Sequence, residues 1–200
     1  MAFSFFASIG DIVNAWLPKD TKVIWGGGGY PNGGQIHVSG ATVRTPHLAA
    51  AGVSPIETGY DDVLAVHTIP AATFDEAGRA ARIEAFGNFA ANGDTKELKI
   101  IVGATAPTVG ARVSGGTVIA DGGAVTQSGG GWFIGAEIMK IGALGTNTQV
   151  SYQVSPATAP TAPVELTLTE SGVITVCVTG NCTTTKTDVV LLMSRLIGHN

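Results

Sequence analysis

The chain has 200 residues, enough for one sizeable β domain with an appendage or for two small domains, and too few for an elaborate multidomain enzyme. Only 13% of the residues are Asp, Glu, Lys or Arg, against about 25% in an ordinary soluble domain, and mean hydropathy is +0.30. The 11 basic and 15 acidic residues give a net charge of −4 with no run of Lys or Arg, which argues against nucleic-acid binding, and no stretch of about 18 apolar residues exists to span a bilayer.

The first element in the chain is a helical pattern over residues 3–17. Phe5, Phe6, Ile9, Ile12, Val13, Trp16 and Leu17 recur at steps of three and four until Pro18 ends the run. This apolar stripe fits either a helix packed on its own core or an anchor docking on a neighbouring protein, a trimer-axis element included. The apolar start lacks the basic n-region of a signal peptide, so export by the usual signal is not expected. From Thr21 to Pro55 glycine-rich turns (Gly26 to Gly29, Pro31 to Gly34) separate the short extended pieces Lys22 to Trp25, Gln35 to Val38 and Ala41 to Arg44, which reads as an extended arm. Gly26 to Gly29 is not a phosphate loop, because no Gly-Lys-Ser/Thr follows and no helix opens there. The chain thus divides into residues 1–55, helix and arm, and residues 56–200, the β domain.

Beyond Tyr60 the pattern is β throughout. Alternation is clearest in Val150 to Val154, Val164 to Leu168 and Ile174 to Val178; less regular strands are Val63 to Ile69, Ala81 to Ala90, Glu97 to Val102, Thr117 to Ala120, Trp132 to Ile141 and Val189 to Leu196. Turn chemistry separates them at Asn92-Gly93-Asp94, Ser114 to Gly116, Asp121 to Gly123, Ser128 to Gly131, Thr146-Asn147, Pro156 to Pro163, Ser171-Gly172 and Gly180-Asn181. Short strands at this spacing, with no helix long enough for a parallel crossover, predict an all-β fold: an antiparallel β-sandwich or jelly roll preceded by the N-terminal helix and arm.

The residues of chemical interest form no catalytic motif. His37, His47, His67 and His199 make no metal-binding spacing, no Gly-x-Ser-x-Gly elbow occurs, and the carboxylate pairs Asp61-Asp62 and Asp75-Glu76 fit solvated turns better than an acid/base pair. No enzyme activity, metal or cofactor is expected. If Thr179 and Gly180 form a two-residue hairpin turn, Cys177 faces Cys182 and a cross-strand disulfide is admitted; the other reading is two free thiols, and nothing marks an oxidising compartment. Among the aromatics, Trp132 in Trp132-Phe133-Ile134 reads as core. Trp25 and Tyr30, flanking the glycine run, are candidates for contact with a glycan or a subunit. A surface this poor in charge favours burial by partner chains, so a homo-oligomer is expected.

The runs IEAFGNFAANGDTKELKIIVG, GGTVIADGGAV, GGGWFIGAEIMKIGA, TQVSYQV and GVITVCVTG with DVVLLMSRL, together spanning roughly residues 60–197, resemble jelly-roll modules of tailed-bacteriophage virion proteins: capsid decoration or cement proteins and head or tail fibres. The resemblance implies an architectural role without catalytic residues. It points to a cement protein on the capsid surface of a virion made in the bacterial cytoplasm, a homotrimer partnered by the major capsid protein. A fibre or adhesin module binding host-surface glycans is the alternative. Residues 1–55 lie outside the resemblance.

Overall fold

The computed structural model describes residues 36–37, 60–143, 145–155, 162–183 and 188–199. The predicted helix with Phe5, Phe6, Ile9, Ile12, Val13, Trp16 and Leu17, and the contact candidates Trp25 and Tyr30, lie outside the described residues. Ten strands follow in order: β1 Ile36–His37, β2 Asp62–Ile69, β3 Ala80–Phe89, β4 Lys96–Val102, β5 Thr117–Asp121, β6 Gly131–Lys140, β7 Gln149–Ser155, β8 Val164–Leu166, β9 Ile174–Cys182 and β10 Val189–His199. Nearly all the strands read from alternation and turn chemistry are present. One short piece of the expected arm, β1, is a strand of the sheet rather than a free extension.

The strands form two antiparallel sheets, one of six strands in the order β1-β10-β3-β6-β7-β8 and one of four in the order β2-β9-β4-β5. The pairings are nested: β1 with β10, β2 with β9, β3 with β6 and β4 with β5. Successive nested pairs fall alternately in the two sheets. That is the connectivity of a long hairpin rolled up on itself, a jelly roll, with β7 and β8 added beside β6 before the chain returns as β9. Between the sheets Leu64, Ile100, Val102, Ile119, Val176 and Val178 meet Ile83, Ala85, Ile134, Ile138, Leu191 and Leu196 in one core.

The hairpin admitted at Thr179-Gly180 is absent, and the alternative of two free thiols holds. β9 runs straight through it to Cys182, paired with β4 as far as Lys96↔Cys182. Gly180 is in the strand because a Cβ there would meet Leu64 Cδ1 at 2.9 Å and Val189 Cγ1 at 3.1 Å, so the glycine answers a close approach of side chains and not a turn. Cys177 and Cys182 are therefore five residues apart on one strand, pointing to opposite faces, and are free thiols. Burial raises the Cys177 thiol to about 11; for Cys182 burial, then the Asp188 charge, raise it to about 11 as well.

Two devices close the sandwich. The loop between β4 and β5 folds over the outer face of the four-stranded sheet, where Ala104, Val109 and Val113 pack with Val63, Val66, Ile101 and Cys177. It reaches the free edge of β2 with three hydrogen bonds, from the N–H of Gly110 to Val63 O, of Val63 to Ala111 O and of Val113 to Asp61 O, and Arg112 lies 3.4 Å over the Tyr60 ring. This cover explains why β9 is buried on both faces from Val176 to Gly180. At the opposite edge the Gln153 amide stands in for a strand: it accepts the Asp121 N–H at 3.1 Å and donates to Asp121 O at 3.0 Å, satisfying the outermost end of β5.

Candidate functional site

The outer face of the six-stranded sheet collects side chains that a solvated sheet face does not need. In β3 the inward positions are Ala81, Ile83, Ala85 and Phe89, so Arg82, Glu84, Phe86 and Asn88 point outward. Register then builds rows across the strands. Met193, Phe86 and Phe133 form one; Arg195, Glu84 and Gly135 the next; Ile197, Arg82, Glu137 and Tyr152 a third; Met139 and Val150 follow.

The first row is apolar. Phe86 and Phe133 are half-buried with ring centroids 4.6 Å apart, and β-bulges place Leu192 beside Met193 and Val154 beside Gly135. Gly135 leaves the room they use, since a Cβ there would lie 3.3 Å from Phe133 Cζ and 3.5 Å from Val154 Cβ. The next two rows are ionic. The buried Glu84 carboxylate takes Arg82 Nε on one oxygen at 2.8 Å and Arg195 Nε on the other at 2.6 Å, with Arg195 Nη2 also in contact. Arg195 extends toward the Phe86 ring, 6.0 Å from its centroid. Tyr152, 38% exposed, has its phenol pushed up by burial and by hydrogen bonding to Glu137, with the Arg82 charge acting the other way. Sequence reasoning did not find the arginines or Glu84 as a cluster. The alternation Arg82-x-Glu84-x-Phe86 inside an otherwise apolar strand was the signal available.

Elsewhere the polar groups are spent inside the fold. Lys99 sits 3.2 Å from Asp61 and 3.0 Å from Glu97; burial pulls its ammonium down but those two carboxylates hold it above its ordinary value. Arg79 takes Asp75 at 2.7 Å and Glu76 at 3.8 Å. The backbone of Asp62 meets that of Arg112 on the β4–β5 loop in an isolated antiparallel β-bridge. Asp61, Asp75 and Glu76 are thus each paired with a lysine or arginine.

His67 Nε2 lies 3.0 Å from Ser194 Oγ, the spacing of a base and a nucleophile. Both side chains are sealed between the sheets, at 3% and 4% exposure, so the pair braces β2 against β10 and no substrate reaches it. Trp132 packs in the core 6.3 Å from Phe89. Lys96 is fully buried, its ammonium held by Asn92 O, Asn92 Oδ1, Asp94 O and Gln127 O at 2.7–3.3 Å, which ties the β3–β4 and β5–β6 loops together. Among the described residues no group of three or more His, Cys, Asp or Glu is placed to hold a metal, and no helix is long and apolar enough to cross a membrane.

No protein-family model matches the chain, and no curated protein matches it. Among solved structures it is similar to the CBM2 module of the evolved Dit of Lactobacillus casei BL23 phage J-1, at 10% identity over 86% of this chain and 91% of that one with a TM-score of 0.32. Sheep galectin-11 in complex with glycerol matches at 10% identity over 72% and 99% of the two chains with a TM-score of 0.33, and the Caenorhabditis elegans galectin LEC-6 at 14% over 72% and 100% with 0.29. At such TM-scores these likenesses say nothing about function, and the nested strand pairing is what defines the architecture.

Proposed function

We propose that this protein is a structural component of a bacteriophage particle, a capsid decoration protein that binds the assembled shell through residues 1–55 and associates with copies of itself, as a trimer, around the β-sandwich. The observation that carries the reading is how little charge is left to keep the surface solvated. Of an already small set of ionic residues, Glu84, Lys96, Lys140, Glu170 and Asp188 are buried, and an outer sheet face carries Phe86, Phe133, Met193 and Leu192 instead. A chain built this way gains from being covered, and interface that exists only in the assembled particle stabilises the shell by mass action without any chemistry. The test is co-sedimentation with purified shells. Full-length protein should pellet with them at a copy number in the hundreds per particle, while a variant lacking residues 1–34, which keeps β1, should stay folded and remain in the supernatant. Pelleting of the truncated protein, or about a dozen copies per virion, would count against the decoration role.

A fibre or adhesin module binding host glycans is favoured by one feature, the exposed Tyr152 ring beside Arg82 and Glu137, which offers a stacking surface next to planar donors and acceptors. Glycan-array signal that disappears in Tyr152→Ala would support it, and a blank array with folded protein would remove it.

A further inference from the structure

We infer that the outer face of the six-stranded sheet is a two-fold contact between copies of this chain, with the dyad running along the strands midway between β3 and β6. The composition of the face suits an interface better than water. An antiparallel sheet with one solvated side alternates apolar inward and polar outward, yet the outward positions of β10, β3, β6 and β7 give an apolar row of Leu192, Met193, Phe86, Phe133 and Val154. The Glu84 carboxylate in the next row already holds Arg82 at 2.8 Å and Arg195 at 2.6 Å, so covering it leaves no lone buried charge.

Strand order makes the face complementary to itself. In β1-β10-β3-β6-β7-β8 the centre of the sheet falls between β3 and β6, so a dyad there lays β3 over β6 of the second copy and β10 over β7, while each row stays opposite itself. Phe86 then meets Phe133 of the second copy, twice. Arg82 and Glu137 are cross-strand neighbours in their own row, and the same operation sets each Arg82 against Glu137 of the second copy. A dyad across the strands, through that row, would instead set Arg82 on Arg82 and Glu137 on Glu137, so the charges select the first arrangement. The area suffices: β3 and β6, 10 residues each, are about 34 Å long, and four strands span about 19 Å. That is roughly 600 Å2 per copy and about 1,200 Å2 in the pair, the lower bound of a stable specific interface. The contact goes beyond the trimer proposed above, since a two-fold closes on two copies and would join two trimers into six chains. In either case its loss halves the mass and no shell takes part in the measurement, so this contact and the decoration role can fail separately.

The test is the mass of the full chain in solution, by light scattering at tens of micromolar protein. Phe133→Glu, an outward substitution, should halve the mass and raise the dissociation constant at least about a hundredfold with an unchanged circular dichroism spectrum. Should that variant lose its fold, Met193→Glu probes the same row. Charge exchange then tests the dyad. Glu137→Lys alone and Arg82→Glu alone each bring like charges together twice per pair and should abolish it, whereas an equal mixture of the two variants matches every charge and should regain the doubled mass. Where Arg82→Glu loses its fold with its hold on Glu84, a benzophenone amino acid in place of Phe133 should link to the Phe86 peptide of an isotope-labelled second copy. A parent chain no heavier than folded Phe133→Glu or Met193→Glu leaves the face to some other occupant and overturns the inference. So do folded charge variants whose mixture fails to associate, and photolinks confined to one chain.

Discussion

Glu170 shows how this fold handles a charge that it cannot leave in water. Its carboxylate contacts the fully buried Lys140, accepts from Gln149 Nε2 at 2.6 Å and from the Gly145 N–H at 3.2 Å, and so fastens the β6–β7 connection to the segment after β8. Burial pushes the carboxyl up, but the bonds from Lys140 and Gln149 outweigh it, and the net direction is down from the ordinary 4.5. A carboxylate whose folded value is depressed contributes stability that is complete above its unfolded value and is lost as pH falls through the folded one. Urea unfolding should therefore show stability declining below about pH 4.5, with a smaller decline in Glu170→Gln. At pH 7, Glu170→Ala orphans the Lys140 ammonium and should cost roughly 3 kcal/mol, the low end for breaking a buried pair because the site lies just beneath a surface loop. Lys140→Met in that background should recover part of the loss; no recovery would mean that the pair is not what holds these segments. The thiols behave oppositely to reactive cysteines. With both raised to about 11, alkylation at pH 8 should be slow in folded protein and should reach two adducts only after unfolding, and reductant should not change the mass of the unmodified chain.

At the scale of strands and turns, the backbone itself sets the strictest requirement. In the middle of β3 a Cβ on Gly87 would sit 1.9 Å from Val190 O and 2.3 Å from Trp132 Cζ2, so the glycine admits both the indole and the β10 backbone next to its bulge. Gly87→Ala should cost at least the 1–3 kcal/mol of core overpacking, measurable as a lowered urea midpoint with unchanged slope; a neutral result would mean that Trp132 is free to move aside. Strand positions were legible from alternation because each inner face is buried, and turns such as Asp121 to Gly123 were legible from their chemistry: Asp121 Oδ1 accepts the Gly123 N–H at 2.8 Å with Gly123 at φ +68°. Gly180 was misread because glycine marks both a turn and a close approach, and only the tertiary neighbours Leu64 and Val189 tell them apart. The partnership of Arg195 with Glu84 was invisible for a related reason. Arg195 and Glu84 are 111 residues apart, and their meeting depends on the β3–β10 register, which no local pattern specifies.

At the scale of the whole molecule, the nested pairing fixes the order in which contacts become affordable. β4 with β5 and β6 with β7 join neighbours in sequence, whereas the buried His67–Ser194 contact spans 127 residues and β3 finds β10 only after most of the chain is placed. Loop closure favours the inner pairs first, and the outer strands then add to a formed platform. Folding should accordingly be slow for the chain's size, in the millisecond-to-second range of non-local β proteins. Conservative truncations should divide by depth of nesting. Ile119→Val in β5 and Ile138→Val in β6 should slow folding with φ-values above about 0.5, while Leu196→Ala in β10 and Val176→Ala in β9 should mainly speed unfolding, with φ-values below about 0.3. Stopped-flow chevrons of the four variants decide it. The reverse ranking would mean that β10 docks on β3 early, as the β1–β10 edge forms, and that the rolled hairpin closes from its open end inward.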